Sequence, residues 1–145
     1  MKTGELIRKY RKMRKMTQAD LADACGLSDS AIRNYELGNR KPSAAHLEAI
    51  AEALGIAQEA LLEVDVSSAR KVLEYLLRID EELGLKPSRD AEGDIVLAID
   101  HGSPKAPKLS AALEAWQRQR ERLDAGEISQ EEYDAWKASA VPSDL

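Results

Sequence analysis

The first 62 residues repeat a short pattern of apolar and polar positions. Apolar side chains recur three or four residues apart, and each run is bounded by a capping residue or a glycine. The predicted caps and breaks are, in chain order, Thr17, Gly26, Ser28, Gly38, Ser43 and Gly55. The pattern predicts five short helices, at about residues 3–14, 17–24, 28–37, 43–54 and 57–63. Since none could bury a core alone, we expect one domain over residues 1–65.

Residues 66–145 have a different pattern and are predicted to form a separate C-terminal region. An apolar stripe predicts a helix at about 67–83, and a β-branched run predicts a strand at 94–99 that pairs with 84–90. Residues 101–108 contain two prolines and are predicted to be an exposed linker. Helices at about 109–124 and 129–139 are expected to form a helical hairpin. The predicted fold class is mainly α, with a five-helix domain followed by an α+β segment of helix, small β-hairpin and helical hairpin.

The charge of the chain is unevenly distributed. Residues 1–41 carry a net charge of +5, residues 42–65 carry −5 and residues 66–145 carry −5, which together give the overall −5. Phosphate contacts are local, and solvent ions screen charges beyond about 8–10 Å. An acidic chain with a basic first segment is therefore compatible with nucleic-acid binding through that segment.

Several classes of function have little support in the sequence. No apolar run is long enough to cross a membrane, so we expect a cytoplasmic protein. The single cysteine, Cys25, cannot form an internal disulfide and is expected to be a small buried group. His46 and His101 are the only histidines, and no metal-ligand spacing, phosphate-binding loop or nucleophile signature is present. We therefore expect no enzyme activity, no cofactor and no metal.

The segment between Thr17 and Pro42 has residues in a specific order. Thr17-Gln18 opens a helix with Leu21-Ala22 on its inner face, and Gly26-Leu27-Ser28 makes a turn. Ile32 and Tyr35-Glu36 follow, and then Gly38, a basic pair and Pro42. Over about residues 3–62 the chain resembles the phage Cro and lambda-type repressor helix-turn-helix family, also called XRE-like. The resemblance implies a lambda-repressor-like DNA-binding domain in a transcriptional regulator, most often a repressor.

The resemblance assigns the helix at about 28–37 to the major groove of double-stranded DNA. The residues that match base-reading positions are Ser28, Asp29, Ser30, Arg33 and Asn34. Arg33 has the donors to bind guanine, and Asn34 can pair with adenine. Two alternatives stay open for Asp29: it accepts a hydrogen bond from cytosine, or it pairs with Arg33 and holds that side chain in place.

Other positions are expected to contact phosphates or to support the reading helix. Those implied to contact phosphate are Gln18, Asn39, Arg40 and Lys41, and Gln18 is also expected to brace the helix. Arg11 and Glu36 match positions that form a partly buried ion pair in the family. Lys15 departs from the family, which often has glycine at the end of the first helix, and a non-glycine residue there is expected to strain or shift the turn.

Helix-turn-helix proteins of this size read half of a binding site each, so a homodimer on an inverted-repeat operator is expected. Either the first domain or residues 66–145 could form the dimer interface. A second hypothesis is an antitoxin-type protein, whose C-terminal half binds a partner protein while the N-terminal domain autoregulates. A small-molecule effector or protein partner of residues 66–145 is not identified by the sequence.

Overall fold

Local hydrogen bonds set the start of each helix in the first half of the chain. The computed structural model describes residues 1–139, and in it the hydroxyls of Thr17 and Ser28 accept hydrogen bonds from backbone N–H groups three residues on, at 3.0 and 3.2 Å. Ser43 caps the next helix in the same way. The helices are α1 (Thr3–Met13), α2 (Gln18–Cys25), α3 (Asp29–Glu36) and α4 (Ala44–Leu54). The predicted caps are thus confirmed.

The fifth predicted helix, at 57–63, is a single 3₁₀ turn at Gln58–Leu61 and not an α-helix. The residues on each side of it, Ala57 and Leu62, are in extended conformation and leave only four residues between them. This length is typical of a 3₁₀ segment. Leu61 is nevertheless fully buried, so the turn still contributes to the core.

The turn after α1 has the geometry that glycine usually provides. Lys15 has a φ of 55°, the one positive φ at a non-glycine residue within 1–139. The Met16 N–H donates to the Arg11 carbonyl at 3.1 Å, and the Lys15 N–H donates to the Lys12 carbonyl at 2.9 Å. These two bonds make the helix-ending motif that favours glycine in the left-handed position. Lys15 therefore adopts a conformation that favours glycine, at a cost of about 1–2 kcal/mol.

The chain forms two compact units, and the first contains more than the predicted domain. It consists of residues 1–64 together with the described residues from Ile128 on. Its core is built from α1 to α4 and the 3₁₀ turn. The largest fully buried side chains are Ile7, Leu21, Ile32, Tyr35, Ile50, Leu54 and Leu61.

The last helix, α7 (Gln130–Ser139), packs against the first unit. The Ala57 N–H donates to the Ala138 carbonyl at 3.0 Å, and Ala138 is 1% exposed within the core cluster. Tyr133 is 5% exposed and stacks on Trp136, with ring centroids 6.1 Å apart. Tyr133 and Ala138 of α7 are therefore buried in the first unit, although the sequence pattern assigned residues 66–145 to a separate C-terminal region.

The second unit spans Asp65–Glu127. It contains α5 (Ala69–Leu83), an antiparallel hairpin of β1 (Leu85–Arg89) and β2 (Ile95–Ile99), and α6 (Ala106–Asp124). Helix α5, the hairpin and the antiparallel pairing of β1 with β2 agree with the sequence prediction. α6 begins earlier than predicted, within the expected linker, because Pro107 occupies the first turn, where its missing N–H costs nothing.

No helix within residues 1–139 is both long enough and apolar enough to span a bilayer.

The packing of α7 leads to a stability prediction. Tyr133→Ala should lower the free energy of unfolding of the first unit by about 2–4 kcal/mol, because it removes an aromatic ring that is only 5% exposed. Hydrogen exchange of the amides of Ile7, Leu21 and Ile50 measures this change. Tyr75→Ala is the matched control, since Tyr75 lies in the second unit and is 38% exposed. Unchanged exchange in the Tyr133 variant would show that α7 does not stabilise the domain.

Candidate nucleic-acid interface

The outer face of α3 carries most of the residues that the sequence predicted to read bases. Ser28, Asp29, Ser30 and Arg33 are exposed, and Asn34 is half-buried. The hydroxyl of Ser28 accepts the N–H of Ala31 at 3.2 Å, so this side chain is engaged in capping the helix. The N-terminal turns of α3 therefore present Asp29, Ser30 and Arg33 to solvent.

The inner face of α3 is fixed to the rest of the domain. Ile32 and Tyr35 are completely or almost completely buried, at 0% and 1% exposed. The Tyr35 hydroxyl and the His46 Nδ1 atom are 2.6 Å apart and form a hydrogen bond between α3 and α4. Because the ring of Tyr35 is buried and its hydroxyl is hydrogen-bonded to His46, the outer face of α3 has a defined orientation.

An ion pair holds the C-terminal end of α3 against α1. Arg11 Nε lies 2.5 Å from Glu36 Oε1, and Arg11 Nη2 lies 2.9 Å from Glu36 Oε2. Both residues are only 9% exposed. Arg11 Nη1 also donates to the Met16 carbonyl at 2.8 Å, in the turn that Lys15 shapes. These are the two residues in which the sequence predicted a structural ion pair.

Gln18 joins this ion pair from the first turn of α2. Its Nε2 atom donates to Glu36 Oε2 at 2.8 Å, so the carboxylate of Glu36 accepts hydrogen bonds from two different elements. We call Arg11, Gln18 and Glu36 the brace. The brace connects α1, α2 and α3, and it orients the amide of Gln18 at the N-terminus of α2.

The environment of Glu36 shifts its titration. Burial raises the pKa of Glu36, but the hydrogen bonds from Arg11 and Gln18 and the positive charge of Arg11 outweigh burial, so the pKa lies below its usual value. The hydrogen bond with Glu36 in turn raises the pKa of Arg11. Both side chains are therefore charged at neutral pH, as the ion pair requires.

The segment after α3 has the predicted basic character. Asn39, Arg40 and Lys41 are all exposed. The Nδ2 atom of Asn39 donates to the Oδ1 atom of Asn34 at 3.3 Å, and the backbone N–H groups of Asn39 and Arg40 donate to the Asn34 carbonyl. Asn34 thus links the end of α3 to this segment.

The structure bears on the two alternatives for Asp29. Within the described residues no ion pair connects Asp29 with Arg33, and no acidic side chain pairs with Arg33, Arg40 or Lys41. The carboxylate of Asp29 and the guanidinium of Arg33 are both exposed at the surface of α3. Each group can therefore bind a ligand without first breaking an ion pair.

Two residues that support α3 and its neighbours were not identified from the sequence. No specific role was predicted for Arg14, but its guanidinium caps α4, donating to the Leu54 carbonyl at 2.8 Å and the Gly55 carbonyl at 3.2 Å. Gly4 lies where α1 crosses the end of α3, and an added Cβ would overlap with the carbonyl oxygen of Tyr35. A glycine inside a helical pattern is the signal that points to such a close approach.

Comparison with known proteins agrees with this geometry. The model of a family described as helix-turn-helix matches residues 7–57. An uncharacterized HTH-type transcriptional regulator of Archaeoglobus fulgidus is 44% identical over 52 residues, which are 36% of this chain and 23% of that protein. The uncharacterized HTH-type transcriptional regulator YazB of Bacillus subtilis is 43% identical over 51 residues, which are 35% of this chain and 74% of YazB. The immunity repressor protein of Bacillus phage phi105 is 43% identical over 54 residues, 37% of this chain and 38% of the repressor.

The fold and the matched segment define a class of DNA-binding regulators. This chain belongs to the helix-turn-helix family of the Cro and lambda-repressor type, the XRE-like transcriptional regulators. The family model matches residues 7–57, and the chain spans less than a quarter of the archaeal regulator and well under half of the phage repressor.

The close approach at Gly4 gives a prediction about packing. Gly4→Ala should lower the free energy of unfolding by about 1–3 kcal/mol, because the added methyl group forces α1 away from the backbone of α3. Urea unfolding measures the change. Lys12→Ala, at an exposed position of the same helix, should change stability by no more than about 0.5 kcal/mol. Equal stability of the Gly4 variant and the wild type would contradict the contact.

The brace gives a prediction about pH. Because the folded-state pKa of Glu36 is lowered, its contribution to stability is complete above the usual pKa of 4.5 and is lost as the pH falls through the folded-state value. Glu36→Gln leaves the Arg11 charge buried without a counter-ion, which should cost up to about 3–5 kcal/mol near pH 7. Urea unfolding between pH 7 and pH 3 should show this difference shrinking with acid. Asp23→Asn, at an exposed carboxylate of α2, controls for general charge effects, and a difference independent of pH would refute the role of Glu36.

Proposed function

We propose that the chain is a sequence-specific DNA-binding transcriptional regulator that acts as a repressor and inserts α3 into the major groove. The observation that carries the proposal is the way α3 is held. The brace and the bond between Tyr35 and His46 fix its inner side, while Asp29, Ser30 and Arg33 remain exposed on its outer side. A rigid helix with unpaired polar groups near its N-terminus is what base recognition in the major groove requires.

Each exposed side chain has a role that its chemistry supports. Arg33 donates two hydrogen bonds to the N7 and O6 atoms of guanine. Asp29, which has no ion pair with Arg33 in the described structure, accepts from the amino group of cytosine. Asn34 pairs with adenine, with Asn39 holding its amide oxygen, and Ser28 and Ser30 adjust the contact at the start of the helix.

Phosphate contacts come from the ends of α2 and α3. Gln18 lies in the first turn of α2, where free backbone N–H groups attract an anion, and its amide is already oriented by Glu36. Asn39, Arg40 and Lys41 contact the flanking phosphates. The net charge of +5 over residues 1–41 supports this side of the domain as the DNA-facing one despite the acidic chain.

The chain acts as a homodimer on an inverted repeat. One α3 covers only a few base pairs, and two copies related by a two-fold axis double the recognised sequence. The name of the phage phi105 relative, an immunity repressor protein, supports a repressor over an activator.

Selection of bound sequences from random double-stranded DNA tests the proposal and supplies the operator. With that operator, Arg33→Ala should weaken specific binding by about 1–3 kcal/mol per half-site, because the bonds to guanine are lost, and should leave binding to random DNA nearly unchanged. Lys41→Ala should weaken both and reduce the salt dependence by about one ion. Fluorescence anisotropy over a salt series measures these values.

Arg118→Ala is the matched control, because Arg118 is also exposed but lies on α6 in the second unit. Equal losses on operator and random DNA for the Arg33 variant would reduce Arg33 to a phosphate contact. Failure to enrich any sequence from the random pool would reject sequence-specific binding altogether.

A further inference from the structure

The second unit has almost no core of its own. Among its described residues, 65–127, the buried apolar side chains are Ala106 and Leu109, both on α6. The 15 residues of α5 include none that are buried, although the helix has a clear apolar stripe. Leu73 and Leu77 of that stripe are 48% and 45% exposed. Because a unit of this size needs buried apolar surface to fold, association is a direct way to complete it.

Strand β2 has a second strand on one side only. The sheet contains two strands in the order β1-β2, so the other edge of β2 has no strand beside it within the described residues. Ile95, Val96 and Leu97 are 63%, 37% and 47% exposed. A two-stranded hairpin is marginally stable by itself, and an uncharged edge of this kind favours pairing with another strand.

The hydrogen-bond pattern shows which backbone groups face the open edge. The Asp100 N–H donates to the Gly84 carbonyl at 2.7 Å, and the Asp90 N–H donates to the Asp94 carbonyl at 3.1 Å. Bonded and non-bonded pairs alternate along an antiparallel ladder, so the even-numbered residues of β2 bond to β1. The N–H and carbonyl groups of Ile95, Leu97 and Ile99 therefore point outward. Pro87 lies opposite Leu97 in a non-bonded pair, so its missing N–H removes no hydrogen bond between β1 and β2.

We propose that a second copy of this chain pairs antiparallel with β2 along this edge, with the two-fold axis passing at Leu97. In this register Leu97 faces the partner's Leu97, and Ile95 faces the partner's Ile99. The outward N–H and carbonyl groups of Ile95, Leu97 and Ile99 then bond to the same groups of the other copy. This gives six interchain hydrogen bonds. Alternation puts the six side chains on one face of a four-stranded sheet, next to Leu85 and Pro87.

Charge and area favour a second copy as the occupant. Residues 95–99 carry no charge, so self-pairing brings no like charges together within the strand. At the ends Asp94 faces the partner's Asp100, and Lys86 Nζ, 2.7 Å from Asp100, compensates that charge. The large apolar side chains exposed on α5 and β2 are Leu73, Tyr75, Leu77, Ile95, Val96 and Leu97. At roughly 50–100 Å² each, an interface that covered all of them would bury about 300–600 Å² per copy. With a polar rim this approaches the ~800 Å² per partner of a standard interface.

This inference rests on the proposed function for its two-fold symmetry, since an inverted-repeat operator needs two reading helices related in that way. The contact itself does not involve α3. Oligomeric state can therefore be tested without DNA, and the two ideas fail separately.

Sedimentation equilibrium of the full chain is the first test. The wild type should reach twice the chain mass of 16.0 kDa at micromolar concentration. Leu97→Lys should raise the dimer dissociation constant by about tenfold or more, because a charge enters the centre of the paired strands. Leu62→Lys is the matched control, since Leu62 is 49% exposed and lies in the first unit. A wild-type monomer, or a Leu97 variant that dimerises as well as the control, would overturn the proposal.

Disulfide cross-linking tests the register and does not depend on how well the lysine variant folds. In a Cys25→Ser background, Leu97→Cys places two thiols across the axis, where paired Cα atoms about 5.5 Å apart suit a disulfide. Oxidation should give mostly covalent dimer. Ala98→Cys, one residue off the axis, should give at least about fivefold less, because Ala98 faces the partner's Val96 and lies on the other face of the sheet. Equal cross-linking of the two variants, or none, would exclude this pairing.

An operator assay separates the two proposals. Loss of dimer in the Leu97 variant should weaken binding to the two-half-site operator and leave binding to a single half-site unchanged. An intact dimer that selects no DNA sequence would reject the proposed function and keep the strand pairing. A chain that binds its operator but neither dimerises nor cross-links at Leu97 would leave the open edge to a different protein partner and reject a second copy.

Discussion

The orientation of α3 depends on one buried carboxylate. Glu36 accepts hydrogen bonds from Arg11 on α1 and Gln18 on α2, and it is itself the last residue of α3. Three elements therefore meet at one ionised group that is 9% exposed. A buried ion pair is weak evidence for stability but strong evidence for a fixed geometry, because removing either partner leaves a charge without compensation. The orientation of α3 follows from this constraint.

The turn after α1 is part of the same arrangement. Arg11 also donates to the Met16 carbonyl, and that carbonyl points toward Arg11 because Lys15 adopts a positive φ. Lys15 therefore adopts the left-handed conformation that glycine usually takes at the end of a helix. The strain at Lys15, about 1–2 kcal/mol, is small beside the cost of leaving Arg11 or Glu36 without its counter-ion.

The first four helices and the ion-pair partners could be predicted from the sequence because their signals are local or belong to a family pattern. Thr17, Ser28 and Ser43 act within one helical turn of themselves, and each caps the helix that was expected. The position of α7 could not be predicted, since its apolar stripe indicates that one face is buried but not which surface covers it. Arg14 was missed for a similar reason, as its partners Leu54 and Gly55 are 40 and 41 residues away.

The two units differ in how much apolar surface their own residues bury. The first has a filled core that includes Ala138 of α7, so the exposed face of α3 is formed in a single copy. The second exposes the central residues of β2 and two leucines of α5, so covering that surface would stabilise it. If a second copy covers it, folding of this unit and dimerisation become one equilibrium that depends on protein concentration. Occupancy of a two-half-site operator would then rise more steeply with concentration than binding of a preformed dimer, because assembly precedes recognition.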